Sequence, residues 1–170
     1  MEHWIVYDLE TGDERWRGSG VVGSAALQEV PEDLGVVIVP QAAIVGAALN
    51  LDVLRDTAAA SIDAQAEVIR QSILTPGAGQ AMTYQRKEAE ARAWSLDNGT
   101  VTPFLTAEAG ARGMTIADLA AEIITLADAW VAIGAAIEGL RMGAKAAVGR
   151  AANLGAIVVA GKVDWSILNG

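Results

Sequence analysis

The stretch IADLAAEIITLADAWVAIGAAIEGLRMGAKAAVGRAANL, residues 116–154, decides the fold. Ile116, Leu119, Ile123, Leu126, Trp130, Ile133, Ile137 and Leu140 recur at alternating steps of three and four, and Ala144, Ala147, Ala151 and Leu154 keep the register. Apolar residues at that spacing line one side of an α-helix. So long a seam has to be covered, so these residues are the expected packing and oligomer seam of a helical bundle. Thr115 and Asp118 stand at capping-box spacing just ahead of it, where each side chain can satisfy a backbone N–H of the first turn.

The seam's flanks carry the argument further. A two-stranded coiled coil keeps charges beside its seam. In this chain the flanking positions are mostly small and uncharged: Ala120, Ala127, Gly134, Arg141 and Val148 on one side, Glu122, Ala129, Ala136, Gly143 and Arg150 on the other. The run 129–137 is apolar all round, which marks a helix covered on more than one side. The spacing therefore predicts the central helix of a compact bundle, closed by preceding helices and by another chain, rather than a free rod. Gly134, Gly139, Gly143 and Gly149 each cost up to about 1 kcal/mol relative to alanine in a helix. They imply close backbone approach or a break near Gly143, and Gly155 is the expected stop.

Toward the N-terminus, Leu51 to Leu74 reads as an amphipathic helix with Leu54, Ala58, Ile62, Ile69 and Ile73 on one stripe, stopped by the turn residues 75–79. Gln80 to Trp94 restarts helix with Ala81, Tyr84, Ala91 and Trp94 inward, and with Lys87/Glu90 and Glu88/Arg92 at pairing distance. Residues 97–100 make a tight turn, Pro103-Phe104-Leu105 lead onward, and Gly110 and Gly113 break the chain again. Residues 1–45 read as a small β-rich unit. Strand formers at residues 4–7 are followed by a turn at 10–13, a return strand at 14–17, a short helix from Ser24 to Val30, and a third strand at 34–39. Residues 41–50 read as a connector. Ala156–Ala160 and Lys162–Ile167 read as a C-terminal strand or docking tail. The expected class is α+β: a β-rich unit (1–45), a helical bundle (50–154) with one long heptad-patterned helix, and a short C-terminal strand or tail (155–170).

Composition narrows the function. The net charge is −9 and the pI about 4.5, against a nucleic-acid backbone or an anionic membrane surface as partner. Without cysteine there is neither a disulfide nor a thiolate metal site. Met1-Glu2-His3-Trp4 lacks the basic start of a signal peptide. The most membrane-like window, Ile123 to Leu140, is interrupted by Asp128 and Glu138, so no membrane span is expected.

No motif assembles an active site. Gly18, Gly20 and Gly23 form GxGxxG, but Pro31 leaves no room for the helix that a dinucleotide site needs. His3 is the single histidine, and Asp8, Glu10, Asp13 and Glu14 lack the spacing of a calcium loop. No serine sits in a nucleophile elbow. The expectation is a protein that is not an enzyme and that holds no cofactor or metal.

One segment has a family likeness. Gly79, Gln80, Tyr84, Lys87, Glu90 and Ala91 fill the pattern G-Q-x-x-x-Y-x-x-K-x-x-E-A. Residues 50–154 thereby resemble a helical segment of tail-fibre and fibre-assembly proteins of tailed bacteriophages, in which a Pro-aromatic-Leu step and another long helix follow. The opening Tyr7-Asp8-x-x-Thr11-Gly12 is similar to the start of many small phage tail proteins. The resemblance implies a virion or assembly role, as a fibre component or fibre-bound chaperone. It would reside in the tail, or in the host cytoplasm during assembly, with other tail proteins or further copies of itself as partners. A membrane-adjacent phage accessory protein and a small nucleotide-binding enzyme are the competing readings.

Overall fold

The computed structural model describes residues 1–73 and 78–169. The chain is α+β, as its patterning predicts, with five strands and five α-helices among the described residues. It divides into two compact units, residues 1–67 with 138–170 and residues 68–137, so both boundaries fall within helices.

The first unit is built on a three-stranded antiparallel sheet in the order β2-β1-β3, from β1 (Glu2–Asp8), β2 (Glu14–Gly20) and β3 (Leu34–Val39). The central strand is apolar at every position from Trp4 to Tyr7 because both of its faces are covered. Ile5 and Tyr7 join Val39, Leu54, Ile62, Val148, Leu154 and Ile157 in the main core. Trp4 and Val6 join Ala25 in a smaller cluster on the other face. The register slips between Val6 and Tyr7, where Arg15 is the extra residue of a bulge. The expected helix from Ser24 to Val30 shrinks to one 3-10 turn, Ala25–Leu27. Glu2 fixes that turn by accepting the N–H of Ala25 at 2.8 Å and of Gly23 at 3.2 Å. The connector at 41–50 also has structure of its own, a 3-10 turn (Gln41–Ala43) and a two-residue hairpin of β4 (Ile44–Val45) and β5 (Ala48–Leu49).

Helix α1 (Leu51–Ile73) contributes Leu54, Ile62 and Ala66 to the interior of the fold. Leu74 and most of the expected stop, Thr75, Pro76 and Gly77, lie outside the described residues. The C-terminal segment differs from expectation. The run at 156–160 is not a strand but part of helix α5 (Leu154–Ala160), started by Asn153, whose side chain accepts the Ala156 N–H at 2.8 Å. Gly155 therefore lies inside α5 instead of ending the long helix, which stops at Arg150.

The second unit holds α2 (Ala78–Leu96), α3 (Pro103–Arg112) and the first part of α4 (Ile116–Arg150). Its core is Ala91, Leu105, Ala109, Leu119 and Ala120. Gly110 does not break the chain, and α3 runs through it to Gly113, which takes the left-handed φ of 65° that ends many helices. Residues 97–100 form the expected turn, with the Thr100 N–H on the Asp97 carbonyl at 3.0 Å. Ala81 and Tyr84, expected inward on α2, are exposed; Ala91 is buried and Trp94 half-buried. Thr115 accepts the Asp118 N–H at 3.1 Å, the first half of the capping box. For the second half, the Thr115 hydroxyl itself donates to the Asp118 carboxylate at 2.7 Å.

Candidate functional site

Helix α4 carries the seam. Leu119 and Ile137 are fully buried, whereas Ile116, Ile123, Trp130, Ile133 and Leu140 are half-buried and Leu126 is 63% exposed. Ile116 and Ile123 pack on the core of the second unit, and Ala144 and Val148 on that of the first. The buried positions of α4 are Leu119 and Ile137 on the seam and Ala120 and Val148 beside it. Ala147, on the seam, is half-buried.

Every charged residue in the middle of α4 is engaged. Asp128 meets Arg92 at 2.6 Å, and Glu138 meets Arg141 at 2.7 Å. Arg141 and Lys145 converge on Asp63 of α1 at 2.5 and 2.6 Å. Lys145 first and Arg141 next hold the Asp63 carboxyl below its usual range. What remains exposed between residues 129 and 149 is uncharged. Ala129, Ala132, Ala136, Gly139, Gly143 and Ala146 repeat the three-four spacing as a second stripe, and all of them are exposed. Val131 and Met142 stand beside it, 61% and 51% exposed. The expected close approach at the glycines is absent within the described chain, and α4 runs unbroken past Gly143. A Cβ added at Gly139, Gly143 or Gly149 would meet nothing within 4 Å. α4 is also long and apolar enough to cross a membrane, with only 11% of its most apolar window buried.

The conspicuous residues of α2 have roles inside the chain. Glu90, which local spacing paired with Lys87, accepts the N–H groups of Phe104 at 2.9 Å and Leu105 at 3.2 Å, while Arg86 reaches it at 3.2 Å. Glu90 thereby caps α3, whose own N-cap residue, Thr102, makes no side-chain cap bond. Lys87 instead bridges to Glu108 at 2.5 Å and lies 5.7 Å from the centre of the Tyr84 ring. The Glu88–Arg92 pair forms as expected at 2.9 Å.

The polar N-terminal motifs are also engaged. Asp8 accepts the N–H groups of Glu10 and Thr11 at 2.9 and 2.8 Å and an Arg15 N–H at 2.5 Å, and these partners lower its pKa to about 2. Among the described residues, no three of His, Cys, Asp and Glu are placed to hold a metal ion. In the GxGxxG segment, Gly18 lies under Trp4, where an added Cβ would fall 2.5 Å from the indole, so packing against Trp4 explains the need for glycine there.

Comparison with protein-family models, with curated proteins and with solved structures finds no match to this chain.

Proposed function

We propose that this chain is a non-enzymatic assembly protein of a phage tail, associated with the tail fibre as a fibre component or fibre-bound chaperone. The observation that carries the reading is the uncharged, exposed face of α4, given by Ala129, Ala132 and Ala136 in the second unit and by Gly139, Gly143 and Ala146 in the first. Small residues on a helix let a second helix approach closely, and an exposed apolar face marks a contact surface. The phage setting comes from the resemblance across residues 50–154. In this reading another tail protein packs on the stripe, in the virion or in the host cytoplasm during assembly. Co-expression with phage tail-fibre proteins tests this. A stable complex is expected, abolished by Ala136→Glu with the helical circular dichroism unchanged. A complex indifferent to Ala136→Glu, or none at all, overturns it.

A second reading has one observation in its favour, the length and apolar surface of α4. A membrane-adjacent phage accessory protein would lay the same face into lipid. Flotation with phosphatidylcholine–phosphatidylglycerol vesicles separates the two: protein that stays with the soluble fraction favours assembly.

A further inference from the structure

The two edges of the sheet are built differently. β2 is bulged at Arg15 and carries two arginines, and Arg17 folds outward to donate to the carbonyls of Gly46 and Ala47 at 3.2 and 3.1 Å. Charges, bulges and covering loops are how proteins keep sheet edges from pairing. The other edge, β3, reads Leu-Gly-Val-Val-Ile-Val and has none of these. In an antiparallel ladder only alternate pairs exchange hydrogen bonds. The Leu9 N–H on the Asp33 carbonyl at 2.9 Å sets that phase, so Gly35, Val37 and Val39 bond to β1, leaving Val36 and Ile38 with backbone groups facing outward. Among the described residues nothing else bonds to those groups. Beside this edge, Val37 and Val39 border a depression of about 240 Å³ that Ala58, Ile157 and Lys162 also line.

We propose that this edge binds the same edge of a second copy, joining two sheets into one across a twofold axis at Val36. In the antiparallel register with Val36 opposite itself, the two Val36 residues exchange both backbone bonds, and each Ile38 N–H meets the Leu34 carbonyl of the other copy. Ile38, 60% exposed in the single chain, then lies against Leu34 of the second copy, and Val37 lies over its Gly35. Charge selects a second copy over an unrelated strand. Glu32 and Asp33 immediately precede β3, and this register sets them opposite Pro40 and Val39 of the neighbouring strand, which line the same depression as Lys162. All three are exposed, none has an ion-pair partner among the described residues, and the twofold axis makes the contact twice. This surface is separate from the α4 stripe, so the two readings stand or fall apart.

The chain has no cysteine, so single-cysteine variants report without background. Paired strand residues on a twofold axis lie about 5.5 Å apart at Cα, within disulfide reach. Val36→Cys is expected to give a covalent dimer on mild oxidation, whereas Ser19→Cys on β2 is not. In sedimentation equilibrium, Asp33→Lys and Lys162→Glu should each raise the dimer Kd by at least about tenfold, and the double variant should restore it. General loss of structure would show no such rescue. The proposal is overturned by a wild-type chain that is monomeric at every concentration reached, by cross-linking of Val36→Cys no greater than that of Ser19→Cys, or by a dimer that Ala136→Glu dissociates and the β3 variants leave intact. Protection of the Val36 and Ile38 amides only when a tail-fibre protein is added would also overturn it, assigning the edge to a foreign strand.

Discussion

Gly155 of α5 rests on Gly12 of the β1–β2 turn so closely that a Cβ on Gly155 would lie 2.4 Å from the Gly12 Cα. The Gly155 N–H donates to the Gly12 carbonyl at 3.2 Å, and the Asn153 side chain donates to the Thr11 carbonyl at 2.8 Å. The contact pins the C-terminal helix to the first hairpin across more than 140 residues of sequence.

Gly155→Ala pits helix propensity against this contact. Alanine gains up to about 1 kcal/mol in a helix, but the atom it would strike is backbone and cannot rotate away. Overpacking of that kind costs about 1–3 kcal/mol, so the variant should be the less stable protein. Urea unfolding measures the sign, and a gain in stability would mean that the turn yields.

The opposite result is expected on α4. Gly143→Ala and Gly149→Ala add a methyl to open space in an unbroken helix. Each should stabilise the isolated chain by about 0.5–1 kcal/mol, read as a higher melting temperature. If Gly143→Ala also weakens a fibre complex, the glycine serves the partner and not the fold.

How far the fold was legible depends on how local its causes are. β1, β2 and β3 were legible because strand formers alternate with turn residues within forty positions, and β3 begins at Leu34 and ends at Val39 as read. α5 was not: residues 156–160 suit a buried strand or a helix equally, and Asn153 and Gly155 decide through contacts with Thr11 and Gly12 that no local window contains. The same holds for Glu90, whose true partners lie 14 and 15 residues onward. The seam residues could be listed from spacing, but their depth could not. Spacing ranks Leu126 with Ile137 and passes over Ala120 and Val148, which are buried beside the seam, and of the second stripe it showed only Ala129, Ala136 and Gly143, as flanks of the first.

Glu90 gives a test of the second unit alone. Removing its carboxylate leaves the N–H groups of Phe104 and Leu105 without their acceptor, that of Leu105 in the interior. Bonds to a charged acceptor are worth about 1.5–3 kcal/mol, so Glu90→Ala should destabilise by roughly that amount, and Glu90→Gln by less because its amide oxygen still accepts. Hydrogen exchange should accelerate first in α3. Equal effects from the two variants would show that packing, not capping, is lost.

Asp8 and Glu2 make stability depend on acid. The Thr11 N–H foremost, then the Arg15 guanidinium, bring Asp8 from its usual 3.8 to about 2, and the Ala25 N–H lowers Glu2. A carboxyl whose pKa is lower folded than unfolded adds stability that is complete above its unfolded value and lost as pH falls through the folded one. Stability should therefore decline as pH is lowered from about 4 toward 2, and Asp8→Asn should flatten that slope while lowering stability at neutral pH. An unchanged slope in Asp8→Asn would place the acid sensitivity elsewhere.

Two seam residues of the same spacing class should behave in opposite ways. Ile137 is fully buried and Leu126 is 63% exposed, although the heptad treats them alike. Ile137→Asp would bury an unpaired carboxylate and should cost more than about 3 kcal/mol, enough to unfold a marginal domain. Leu126→Asp should change stability by no more than about 0.5 kcal/mol, because its side chain already meets water. Circular dichroism and urea titration of the pair measure the contrast. Should Leu126→Asp also unfold the chain, then Leu126 is covered in solution by a second molecule on which folding depends, and the concentration dependence of unfolding would reveal it.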